Sequence, residues 1–183
     1  MKISFYLFLI LLLTSTSCNA PKIKPLVDPS LDVKNLPSQE SWDSEVIFSD
    51  SGITKAILYA GHMRVFEKEQ ETLLDKNIKV VFYNPDFKIT SVITAKRGKV
   101  NDITKDLYAI DSVVAVGDSG SVVTTEELIF RNRDKKLVSD KFVTIVSPTE
   151  TIKGYGFESD QNLMNYVVYK ITYISKSDSN QHK

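Results

Sequence analysis

The chain has 183 residues, 42 % of them apolar and 25 % charged, which suits one ordinary folded domain with a leader and excludes wholesale disorder, a collagen-like repeat and a polytopic membrane protein. Lys and Arg together number 23 and Asp and Glu together 23, so the basic field that a nucleic-acid binder needs is absent. One cysteine and two histidines exclude disulfide frameworks, Cys/His metal clusters and Cys–His chemistry.

In chain order, Lys2 precedes an apolar run from Ile3 to Leu13 broken only by Ser4. As a helix it would measure about 16 Å, half a hydrocarbon core, which is the length of a signal-peptide apolar region rather than of a span. Small residues follow from Thr14 to Ser17, and then Cys18. This run resembles a lipobox, the site where a bacterial lipoprotein is cut just before a cysteine that is then acylated. Ser17 fits the position before the cut, while Ser15 stands where Leu is usual. An unpaired thiol in an oxidising compartment is otherwise a liability. Residues 1–17 therefore read as a lipoprotein-type signal peptide and Cys18 as the lipidated residue. Residues 18–40 contain Pro21, Pro25, Pro29 and Pro37 and read as a semi-rigid tether, able to hold a domain up to about 60 Å from a membrane.

Residues 41–175 have the texture of an all-β domain, and 176–183 form a polar tail. Half-buried strands are expected at Ile78–Tyr83, Phe87–Ala95 and Phe142–Val146, with Phe87, Ile89, Ser91, Ile93 and Ala95 on one face. Asn84-Pro85-Asp86, Gly117-Asp118-Ser119-Gly120 and Asn132-Arg133-Asp134 read as turns. Val65–Asp75 is helix-like in composition but is expected to hold a long polar turn between strands. Trp42 is expected to cap the core. The chain also aligns with itself at an offset of about 30 residues. Ser91-Val92-Ile93-Thr94 lies over Ser121-Val122-Val123-Thr124, Leu107 over Leu137, Val113 over Val143 and Val116 over Val146, and a less regular copy precedes them. The domain then comprises about four strand–turn–strand units that must stack to bury an apolar face.

Little of this carries chemistry. Gly117-Asp118-Ser119-Gly120-Ser121 resembles the nucleophile loop of chymotrypsin-like proteases, and His62 with Asp102 or Asp111 could complete a triad in chain order. A turn between strands wants the same residues, and the chain between His62 and Ser119 is too short for a two-barrel protease. Gly154-Tyr155-Gly156 lacks the third glycine and the following helix of a dinucleotide loop.

The C-terminal half, Val123-Thr124-Thr125-Glu126-Glu127-Leu128-Ile129-Phe130, then Leu137-Val138-Ser139-Asp140, Val143-Thr144-Ile145 and Gly154-Tyr155-Gly156-Phe157-Glu158-Ser159-Asp160, resembles the LptC family of the lipopolysaccharide export system over roughly residues 41–170. The resemblance implies an open β-jellyroll, a V-shaped sandwich of two antiparallel sheets, that binds lipid A acyl chains and performs no chemistry, with no cofactor. It implies a periplasmic protein that receives lipopolysaccharide from the jellyroll domains of the inner-membrane Lpt permease and passes it to an LptA-like bridge protein. Familiar members are held by a transmembrane helix; here a lipid anchor, most simply in the inner membrane, takes its place. Acyl chains are expected on Val80, Phe82, Ile89, Ile93, Val113, Val123, Leu128, Phe130, Val143 and Ile145, which lie in strand runs and, where the repeat covers them, at equivalent positions. Thr125–Leu128 breaks the alternation, so a bulge is expected there. The run Met164–Ser175 is expected to form a free edge for the bridge protein through Val167, Tyr169, Ile171 and Tyr173. The competing expectations are a surface β-sandwich lipoprotein that binds a protein or glycan, and a small secreted serine hydrolase built on Ser119.

Overall fold

The computed structural model describes residues 36–176; the signal segment, Cys18, the tether as far as residue 35 and the tail from residue 177 lie outside the described residues. Ten strands run in order: β1 (Gln39–Asp50), β2 (Ile53–Phe66), β3 (Glu71–Tyr83), β4 (Ile89–Ala95), β5 (Arg97–Asn101), β6 (Leu107–Gly117), β7 (Val122–Arg131), β8 (Lys136–Val146), β9 (Glu150–Ser159) and β10 (Tyr166–Lys176). All pairings are antiparallel and belong to one sheet of order β1-β2-β3-β4-β6-β7-β8-β9-β10, with β5 continuing the line of β4 between β3 and β6. The segment of helix-like composition is the end of β2, a turn over residues 67–70 and the start of β3. The connections use local polar chemistry. Asn84 Oδ1 accepts from the amides of Asp86 and Lys88, and Asn101 Oδ1 from those of Ile103 and Thr104.

Most of these strands are twice the common length, and one sheet of long strands must bend to bury a face. The bend is a line of irregularities crossing the sheet. Pairing registers shift at Gly61 on β2, between Ile110 and Val113 on β6, between Thr125 and Ile129 on β7, between Ser139 and Phe142 on β8, and between Ile171 and Tyr173 on β10. On β3 Lys76 and Asn77, on β6 Asp111 and Ser112, and on β9 Gly156 take up positive φ. Polar residues and glycine tolerate that conformation better than β-branched neighbours such as Ile78, Ile110 and Val113 would.

Folding along this line brings two halves of the same sheet face to face, giving the all-β domain that the strand pattern implies and the jellyroll-like sandwich that the resemblance implies. The two layers are halves of one hydrogen-bonded sheet rather than separate sheets. Leu58, Val80, Ile93, Ala115, Val123 and Ile145 line the inner face of one half, and Leu74, Ala109, Leu128, Leu137 and Phe157 that of the other, all buried in a single core. Gly98 on β5 leaves room for the Ile78 side chain: a Cβ there would come within 2.7 Å of Ile78 Cδ1. Each 30-residue unit of the sequence is one long hairpin, so Val113 and Val143 fall in one row through Thr125, and Ile93 and Val123 in another through Ala115.

Two expectations are corrected. Trp42 is 58 % exposed and covers no core; it stacks on the ring of His62, with centroids 5.3 Å apart. Ile89 is 54 % exposed, because a register shift between Phe82 and Tyr83 turns the start of β4 and removes Ile89 from the face shared by Ser91, Ile93 and Ala95, and Phe87, 60 % exposed, lies in the turn before β4 with positive φ rather than in the strand.

Candidate functional site: the folded interior and its two free edges

Alternation along each strand and register between strands place one apolar row across the whole inner face of the first half-sheet. It runs Val46, Leu58, Val80, Ile93, Ala115, Val123, Ile145, Ile152, Ile174, each residue the direct cross-strand partner of the next. From Leu58 to Ile152 every member is buried, while Val46 on β1 is half-buried and Ile174 on β10 is 53 % exposed. The row is thus dry in the middle and wet at both ends, because β1 pairs with β2 alone and β10 with β9 alone.

Of the ten positions expected to meet acyl chains, Val80, Phe82, Ile93, Val113, Val123, Leu128, Val143 and Ile145 are buried together in the shared core. Phe130 is partly buried and packs on Phe82; Ile89 stands apart. The expected bulge between Thr125 and Leu128 is present, and its polar groups are satisfied internally. The Thr125 hydroxyl donates to the Phe142 carbonyl and the Ser139 hydroxyl to the Glu127 carbonyl. Val167, Tyr169, Ile171 and Tyr173 all lie exposed on the edge strand β10. They do not share one face, since Ile171 stands opposite the buried Gly154 and Thr172 is bulged out of register. Ile174, the inward residue that ends the apolar row, falls one place off simple alternation for that reason, and reading by twos passes over it.

Two charged clusters stand out, one at the free ends of β7–β9 and one that joins β1 to β2 and β3. Glu158 is held by Lys136 and Arg131, whose hydrogen bonds keep its carboxyl below the ordinary range against the opposing effect of burial. His62 Nδ1 lies 2.9 Å from Asp75 Oδ1 and its Nε2 2.7 Å from Glu40 Oε1, while Arg64 bonds the other Asp75 oxygen at 2.9 Å. Burial pushes the Asp75 carboxyl up, but the hydrogen bonds from His62 and Arg64 outweigh it and hold the group below its usual value. This cluster ties the edge strand β1 to β2 and β3.

The triad suggested by chain order is not assembled. Both ring nitrogens of His62 are engaged by Asp75 and Glu40, Ser119 Oγ faces Ser121 Oγ at 3.2 Å, Asp102 accepts from Thr72, and Asp111 pairs with Arg97. Ser119 sits in the turn between β6 and β7, as the turn reading of that motif requires. Among the described residues no group of three His, Cys, Asp or Glu side chains is placed to hold a metal ion.

A family model described as lipopolysaccharide-assembly, LptC-related, matches residues 7–170. No curated protein matches the chain.

Proposed function

The chain belongs to the LptC-related family of lipopolysaccharide-assembly proteins, and from that premise we propose that its folded sheet is a carrier surface for lipopolysaccharide, taking it from the inner-membrane ABC transporter and handing it to the periplasmic bridge protein. The family is a transport and binding component of lipopolysaccharide export, periplasmic and associated with the inner membrane, rather than a family of enzymes. Acyl chains need apolar area and no directional contacts. The observation that carries the reading is the apolar row that crosses every inward strand and ends half exposed at β10. A lipid first meets Ile171, Ile174 and Phe48 at the open ends, and deeper uptake exchanges packing between the halves for packing against acyl chain. The anchor in this reading is the acylated Cys18, which leaves the domain on a tether at the membrane face. The two unpaired edges are the docking strands, β10 with Val167 and Tyr169 for the bridge protein and β1 for the permease.

A photo-crosslinking residue at Ile174 tests the reading in cells, with Val116, exposed at 41 % on the outer face, as the control position. Lipopolysaccharide adducts at Ile174 and none at Val116 are expected. No adduct at Ile174, with the protein folded and membrane-bound, overturns the carrier reading.

A further inference from the structure

Among the described residues, the corner between β9 and β10, residues Asp160–Asn165, is the one connection whose hydrophobic residue is wholly buried. Leu163 is 1 % exposed and belongs to the shared core, although its neighbours in the corner are polar or exposed. It reaches the core with φ at +58°, a left-handed conformation that a leucine adopts only when its surroundings hold it there. The corner leaves the second half-sheet and lands on the first. Ser91 Oγ, on β4, donates to the Gln161 carbonyl at 2.5 Å, a contact spanning seventy positions in sequence. Gly117, at the end of β6, lies so close that a Cβ there would meet the Asn162 carbonyl oxygen at 2.7 Å and Leu163 Cβ at 3.2 Å. Immediately after the corner, Tyr166 Oη donates to Glu150 Oε1 at 3.0 Å, joining the start of β10 to the start of β9 at the opposite end of that strand. The Asp160 carboxylate fixes the corner from within, accepting from the Met164 amide and from Asn165 Nδ2.

Three separate contacts therefore pin the free end of the second half onto that of the first, two of them on β4 and β6 in mid-sheet and one on β9 beside the open edge. The two hydroxyl contacts are weak alone, one a hydroxyl–carbonyl bond and the other a partly buried tyrosine–carboxylate bond, and the buried leucine between them sits on a strained backbone. The geometry points to a latch: the Asp160–Tyr166 corner closes the mouth of the folded sheet in the unloaded protein and lifts off the Ser91–Gly117 rim to admit an acyl chain. The strain at Leu163 is relieved when the corner lifts, which lowers the cost of opening. The inference rests on the carrier reading for what is admitted, but not for the existence of the opening.

The test uses the full chain, wild type and the double variant Ser91→Ala with Tyr166→Phe, which removes both hydroxyl contacts and keeps every ring and Leu163 in place. Amide exchange without ligand is read first. In the wild type, amides at Asn162–Asn165 should exchange faster than those in the middle of β6–β8, showing an opening short of global unfolding. In the double variant they should speed up on the order of tenfold while the β6–β8 amides keep their rates. The rate of capture of lipopolysaccharide from dilute dispersion is read second and should rise severalfold in the variant. Corner amides that exchange only with the whole core, or a freed corner with unchanged capture, overturn the latch. A wild type that captures no lipopolysaccharide overturns the carrier reading, and the exchange data then decide the opening by themselves.

Discussion

The rings of Phe82 and Phe130 lie with centroids 5.2 Å apart and planes inclined at 53°, although Phe82 stands near the free end of β3 in one half-sheet and Phe130 near the free end of β7 in the other. Because the backbone joins the halves only along the bend, this pair reports whether the free ends are together. Phe82 is 2 % exposed, so Phe82→Ala should cost about 3–5 kcal/mol. A double-mutant cycle with Phe130→Ala should give a coupling of about 0.5–1.5 kcal/mol in chemical denaturation. Zero coupling in the unloaded protein would mean that the halves do not close as described.

The buried and open parts of the inner row should respond differently to charge. Ile93→Asp places a carboxylate in the packed centre without a partner, at a cost of several kcal/mol, and should leave the protein unfolded or heavily destabilised by circular dichroism. Ile174→Asp, on the same row but half exposed, should fold within about 0.5 kcal/mol of the wild type and lose lipopolysaccharide binding. Normal binding by folded Ile174→Asp would remove the open end of the row from the path of the lipid.

Much of the sheet was legible because β-branched and aromatic residues cluster in runs such as Ile78–Tyr83 and Phe142–Val146, and because the thirty-residue repeat aligns positions that do share rows, Val113 with Val143 and Ile93 with Val123. The length of the strands was not legible. Lys76-Asn77, Asp111-Ser112 and Asp140-Lys141 interrupt the apolar pattern, and such residues favour a bend within a strand as readily as a turn between strands. Here they mark the bend, while the chain reverses at Asn84–Phe87 and Asp118–Gly120. The face of Ile89 depended on a one-residue register shift that composition does not encode. Leu163, a lone leucine among polar residues, has no periodic partner to announce its burial. Alternation also cannot separate packed core from lipid surface, since both require the same inward side chains.

The ties between β1 and its neighbours should weaken in acid. The Asp75 carboxyl is held below its ordinary value near 3.8 in the folded protein. Its contribution is therefore complete above that value, where it is ionised in both states, and is lost as pH falls further, through the folded-state value, because the unfolded chain takes up the proton first. Asp75→Asn should be less stable than the wild type at neutral pH, and the two stability curves should converge below about pH 3.8 in thermal melts. A constant gap between the curves into strong acid would show that Asp75 contributes by packing or by neutral hydrogen bonds alone.

Attachment to the membrane is expected to depend on Cys18, the solitary cysteine directly after the apolar leader. Mass spectrometry of the mature protein should find residue 18 first and acylated, and Cys18→Ala should move the domain to the soluble fraction, since each buried methylene of an acyl chain is worth about 0.8 kcal/mol. An unmodified thiol, or a mature chain that starts elsewhere, would end this account of the anchor.

Docking of the bridge protein on β10 can be separated from folding by charging the edge strand. Deletion from Leu163 onward would remove the whole of β10, the Leu163 anchor and the Tyr166–Glu150 bond, so loss of binding after truncation would say little. Val167 and Tyr169 are 55 % and 66 % exposed, with β9 on one side only, and lysine is the residue with which edge strands commonly repel added strands. Val167→Lys with Tyr169→Lys should keep stability within about 1 kcal/mol of the wild type. The same pair should weaken association with an LptA-like bridge protein by roughly tenfold or more, because an incoming strand must lay its own side chains beside these two. Binding of the permease, assigned to β1 at the other edge, should not change. If the doubly substituted protein folds, loses the permease and keeps the bridge protein, the two edges have been assigned in the wrong order. If it keeps both, neither partner adds its strand at β10.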